Sequence, residues 1–130
     1  MEVEKAPDVQ KLTEQIIEIL KLGPVFDARI ICMRSYKSKA RACARIWSLP
    51  KIWRVALEIN PFYVIEVLSE NFDSLSKVNK TKVIIHELLH IPKKFSGGLV
   101  PHNSRGIKIT QRTVDKIYEE FEDKLIEISP

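Results

Sequence analysis

Cysteine is scarce in this chain, two residues in 130. Cys32 and Cys43 cannot build the disulfide framework of a small secreted module. In a reducing compartment they read as small buried side chains, the other option being a facing pair across a hairpin. No apolar run approaches the roughly 20 residues that span a bilayer. The start, Met-Glu-Val-Glu-Lys, is charged and has no apolar stretch of a secretory signal. The expectation is a cytoplasmic protein with no membrane contact. Repeats, linkers and low-complexity segments are absent too. The net charge of +4 is too small for a dedicated nucleic-acid binder. Histidine is nearly as sparse, with only three residues, and all three fall at positions 86 to 102.

What is present suits one globular domain over residues 1–130. Hydrophobic residues make up 45% and charged residues 29%, which is enough to bury a core. Residues 8–22 carry an amphipathic helical pattern (Leu12, Ile16, Ile17, Ile19, Leu20), with Asp8 as cap and Gly23-Pro24 as stop. Residues 28–36 and 41–48 read as two strands of a hairpin turning at Lys37-Ser38-Lys39. A short helix over 51–58 follows the Leu49-Pro50 break, with Ile52, Trp53, Ala56 and Leu57 on one side. Residues 62–68, rich in β-branched and aromatic side chains, read as a strand, and residues 71–74 as a connection. Ser76 caps a helix running to His90, which Pro92 ends by excluding Ile91 from helical geometry. Residues 92–106 read as one long loop, of the kind that is usually functional. Residues 110–127 close the chain as a helix with Val114, Ile117, Tyr118, Phe121, Leu125 and Ile126 inward. These elements predict an α+β fold: a small, mostly antiparallel sheet packed on an N-terminal, an active-site and a C-terminal helix.

The chemistry concentrates in His86-Glu87-Leu88-Leu89-His90. Imidazole is the usual nitrogen donor to zinc. Two histidines four apart on a helix project from one face, one turn apart, so both can reach one ion. Glu87 then sits beside the ion, where it can hold a water and take its proton. Two ligands are too few, and His102 is the candidate third, brought back by a reversal at Gly97-Gly98 and stiffened by Pro101. Three neutral imidazoles leave a position open, as a catalytic zinc requires, whereas a structural zinc is closed by four Cys or His ligands. The expectation is one Zn2+ ion, a peptide or protein substrate, and hydrolysis of peptide bonds with Glu87 as general base. The alternative is a metal-stabilised binding module with little or no turnover.

The segments Lys82-Val83-Ile84-Ile85-His86-Glu87-Leu88-Leu89-His90-Ile91-Pro92, Phe95-Ser96-Gly97-Gly98-Leu99 and Pro101-His102 resemble the small metallopeptidases of archaea and phages, zincins related to minimal gluzincins and SprT-like proteases. Arg45-Ile46-Trp47-Ser48-Leu49-Pro50-Lys51-Ile52-Trp53 and Tyr63-Val64-Ile65-Glu66-Val67 are similar to that family as well. The resemblance spans roughly residues 41–125. It implies a zincin-like domain with His86, His90 and His102 as ligands and Glu87 as base. It departs from true gluzincins, whose third ligand is a glutamate on a following helix, and from the metzincin spacing.

Other side chains are candidates for supporting roles. Tyr63 and Arg105 are possible second electrophiles for the oxyanion. Asp115 and Glu119, one turn apart, are possible acceptors for the ligand histidines. By analogy with zincins, the strand 62–68 is expected to border the cleft and to hold an extended peptide by strand addition. Arg34, Lys37, Lys39, Arg41 and Arg45 form a basic cluster. It reads either as a solvated hairpin that discourages aggregation or as a contact to DNA phosphates. Trp47 and Trp53 are expected to pack in the core or against a partner. An upstream-cysteine site of the peptide deformylase kind fits poorly, because Cys43 lies in Arg-Ala-Cys-Ala-Arg.

Overall fold

The computed structural model describes residues 2–22, 29–91 and 109–128. The order of elements is β1 (Glu2–Lys5), α1 (Pro7–Leu20), β2 (Ile30–Tyr36), β3 (Ala44–Ser48), α2 (Lys51–Leu57), β4 (Tyr63–Leu68), α3 (Ser69–Phe72), α4 (Lys77–Leu88) and α5 (Gln111–Ile128). It is an α+β fold with one four-stranded mixed sheet, ordered β1-β2-β4-β3. Two of the three pairings are antiparallel, β1 with β2 and β3 with β4, and β2 with β4 is parallel.

The expected β2–β3 hairpin does not form, because β4 lies between the two strands. The reason is burial. Tyr63, Ile65, Val67 and Leu68 leave almost no surface exposed, and Glu66 only 4%. A strand buried on both faces belongs in the middle of a sheet. β3 carries Arg45, Trp47 and Ser48, which suit an edge. Residues 37–43 therefore cross the end of β4 instead of turning tightly. Asn71 secures this crossing, donating from Nδ2 to the carbonyls of Ala40 (3.1 Å) and Ala42 (2.9 Å). The thiols Cys32 and Cys43 are both free, the first buried and the second partly exposed.

Helices α1, α4 and α5 pack against one another, and α1 and α4 also reach the sheet, at β2 and β3. The core between helices and strands is built from Val9, Ile16, Ile17, Ile65, Ile84 and their neighbours. α1 starts at Pro7, whose fixed φ suits a first helical position. Asp8 therefore lies inside the first turn rather than capping it, and binds Arg34 at 2.8 Å, beside Asp73 at 3.0 Å from the same guanidinium. Gln10 fixes α1 to the sheet by donating to the Ile30 carbonyl and accepting from the Cys32 amide.

The core option for the two tryptophans fails, and the expected inner face of α5 needs correction. Trp47 and Trp53 are 53% and 56% exposed, and no residue of α2 is buried. Ile126 of α5 is exposed too, so the inner face of that helix rests on Val114 and Phe121, with Ile117, Tyr118 and Leu125 beside them. Among the described residues no helix is long and apolar enough to cross a membrane.

The edge strand is held by Glu66. Its carboxylate accepts from Arg45 Nε at 2.8 Å and from the Trp47 indole at 2.8 Å. Burial raises its pKa, but hydrogen bonds from Arg45 and Trp47 outweigh that, and the net position is below the ordinary value of 4.5. Glu66→Ala is expected to lower stability by about 1–2 kcal/mol, at the low end for a charged hydrogen bond because Arg45 and Trp47 can turn to water. A depressed folded-state pKa means that the Glu66 contribution is complete above the unfolded value. It is lost as pH falls through the folded one. Urea unfolding at pH 7 and below pH 4 checks both points: the variant should lie below the parent at pH 7 and converge with it in acid, and equal stability at pH 7 would contradict the assignment.

Candidate metal centre

α4 is built to present one edge of its last turn. Ser76 caps it, accepting the Asn79 amide at 3.2 Å. Thr81, Ile84, Ile85 and Leu88 are buried, which fixes the rotation of the helix about its axis. With that face locked inward, His86 falls on the cavity side and Glu87 on the border of the core. The helix proper ends at Leu88, two residues short of the expected end. His90 follows on a tightened turn in which its amide bonds to the Glu87 carbonyl and that of Ile91 to the Leu88 carbonyl, both at 3.1 Å. Such i→i+3 closure is how a helix ends when the next residues cannot continue it. His90 still lies one turn beyond His86.

The His86 and His90 rings lie with centroids 5.3 Å apart at an interplanar angle of 61°. One donor atom from each of His86, Glu87 and His90 falls within 4.8 Å of the other two. Two nitrogens at about 2.0–2.1 Å from a tetrahedral ion stand roughly 3.4 Å apart. Small rotations of the side chains therefore suffice for both imidazoles to share one cation, and the donor set fits a divalent metal. His86 is partly exposed, with 32% of its side chain accessible, whereas His90 and Glu87 are buried. Glu87 Oε2 is 4.0 Å from His86 Nε2. Burial alone pushes the Glu87 carboxyl up to about 7, because a buried site disfavours the charged form.

The remaining site candidates have the following surroundings. His102 and Arg105 lie outside the described residues. Tyr63 is wholly buried in β4 as part of the core. Glu119 is exposed on α5. Asp115 is engaged by Lys82 Nζ at 3.0 Å and by Gln111 Nε2 at 2.7 Å. The strand 62–68 cannot accept a peptide by edge addition, since β2 and β3 occupy both its edges. Among the described residues the open edge next to α4 belongs to β3 instead. In the basic cluster, Arg34 is bound to Asp8 and Asp73 and Arg45 to Glu66, while Lys37, Lys39 and Arg41 stay exposed.

A cavity of about 340 Å3 opens beside the metal donors, with His86 and Glu87 in its wall. Asn79, Lys82 and Val83 continue it along α4, and Ala44 of β3 faces them. None of these residues was singled out for a role from the sequence. Their spacing was nonetheless legible: positions three, four and seven before His86 share its helix face.

A family model described as "Putative phage metallopeptidase" matches residues 1–124. Comparison with curated proteins and with solved structures gives no match.

Replacing His86 or His90 by Ala is expected to weaken binding of a divalent metal, with zinc as probe, by more than the roughly 10–100-fold typical for loss of a supporting partner. Asn79→Ala, lower in the same cavity, should leave it unchanged. Competitive chelator titrations measure this, and full affinity in either histidine variant would remove that residue from the ligand set.

Proposed function

Because the chain belongs to the family described as putative phage metallopeptidases, we propose that it hydrolyses peptide bonds with a single zinc ion held by His86, His90 and His102. The observation that carries this reading is the convergence of His86, Glu87 and His90 donor atoms at the end of α4. His102 enters on the chemistry of the donor set: two imidazoles leave a four-coordinate ion short of protein ligands. When bound, the ion supplies a Lewis acid for the scissile carbonyl and a lowered pKa for attacking water.

The chain's own residues do the rest. Glu87 takes a proton from the attacking water and returns it to the leaving amine. Its position next to His86 in sequence, and its burial at the edge of the core, hold the carboxylate still beside the reacting atoms and limit competition from bulk water. His86 and His90 act as neutral imidazoles, which requires each to keep its metal-facing nitrogen unprotonated. The substrate chain lies along the open edge of β3, where backbone groups can pair with an extended peptide. The binding-module alternative draws no support from the family match, and the DNA contact has no reading element among the described residues.

Glu87→Ala should retain zinc and lose peptide hydrolysis by at least about 10²-fold, the size of a positioned acid–base contribution. His102→Ala should lose zinc affinity. Assay of the zinc-loaded variants on unfolded protein substrates tests both, and undiminished hydrolysis by the Glu87 variant would overturn the mechanism.

A further inference from the structure

The cavity beside the metal donors has a specific charge balance. Its apolar wall is Ala44, Leu75, Val83 and Val114. Its one cation among the described residues is Lys82, and that charge is already matched. The Lys82 ammonium lies 3.0 Å from Asp115 and 5.3 Å from the centre of the Tyr118 ring. Gln111, also in the cavity wall, donates to the same Asp115 carboxylate at 2.7 Å. The hydrogen bond from Lys82, then that from Gln111, holds the Asp115 carboxyl below its ordinary value of 3.8, so Asp115 faces Lys82 as a carboxylate at neutral pH. α5 thus reaches across to α4 and cancels the cation. A carboxylate entering the cavity would meet Lys82 already paired with the like charge of Asp115, and would give up its own hydration. An apolar side chain would simply cover the four apolar wall residues.

We propose that this cavity receives a substrate side chain next to the cleaved bond, that it selects an uncharged apolar residue, and that Asp115 sets this choice by neutralising Lys82. The proposal rests on the peptidase reading above and adds to it a substrate class and a specificity-determining residue. With Asp115 made neutral, Lys82 becomes an unmatched cation in a partly buried cavity, and an acidic residue is then the better guest.

The test compares kcat/KM of the zinc-loaded chain for two peptides that differ only by Leu or Glu, scanned over the positions flanking the cleaved bond. The parent should favour Leu by about tenfold or more at one position, in the range of a side-chain pocket. Asp115→Asn, which keeps the shape and the Gln111 contact, should shift the Leu:Glu ratio towards Glu by about tenfold. Lys82→Met should not shift it that way. A ratio unchanged in Asp115→Asn at every position overturns the proposal. A second readout does not need turnover. Cys43 lines the cavity, whereas Cys32 is buried and burial pushes its thiol up to about 11, so an alkylating reagent at neutral pH marks Cys43. In a zinc-loaded Glu87→Ala chain the Leu peptide should slow that labelling and the Glu peptide should not. Adding Asp115→Asn should reverse the order. If no peptide is hydrolysed by the parent, the peptidase reading falls, and Cys43 protection still decides the cavity. If neither peptide protects Cys43, the cavity assignment falls, and the hydrolysis assay decides the peptidase reading by itself.

Discussion

The four-residue spacing of two imidazoles on α4 has meaning only because the opposite face of that helix is locked. Ile84, Ile85 and Leu88 are sealed into the core, and the Ser76 cap pins the first turn. Rotation by one residue, about 100°, would carry His86 off the cavity side and break the shared focus of His86 and His90. The site is thus an outcome of core packing more than of any interaction among its own members. The two ends of α4 serve different purposes. The capped start makes the helix rigid, and the tightened turn at its end places His90 and Glu87 in a buried corner while His86 faces open space.

The sheet contributes by what it leaves uncovered. β4, buried on both faces, takes the centre, and β3 is displaced to the edge nearest α4. Glu66 then holds Arg45 and Trp47 of β3 from beneath. The result is a braced edge strand alongside a helix carrying metal donors, with a cavity between them. Charges near that cavity are largely matched within the protein, as the Lys82–Asp115 pair shows. Its chemical preference therefore depends on neutralisation and apolar wall area, not on a net field.

Much of this was legible from residue order. The helices at 7–20, 77–88 and 111–128 follow from apolar periodicity and from caps and breakers, and Ser76 does cap as expected. The donor group His86-Glu87-His90 follows from spacing on such a helix. What was not legible has physical causes. Adjacent strands joined by a short polar segment look like a hairpin, and nothing local reveals that a third strand will insert between them. The near-continuous apolar run 62–68 was the available hint, since a strand of that kind seeks the sheet centre. β1 is four residues with every side chain exposed, so no burial pattern marks it. α2 carries apolar residues that stay exposed, and pattern alone counts such residues as core. Asp115 was read as a possible acceptor for histidine, and its ion pair with Lys82 was not legible because Lys82 lies on a helix distant in sequence.

X-ray absorption at the zinc edge of the metal-loaded chain bears most directly on the claim that imidazoles hold the ion. The account predicts a first shell of nitrogen and oxygen at about 2.0–2.1 Å, with the outer-shell scattering of more than one imidazole and no sulfur. A sulfur contribution near 2.3 Å, or a spectrum with no imidazole scattering, would contradict it.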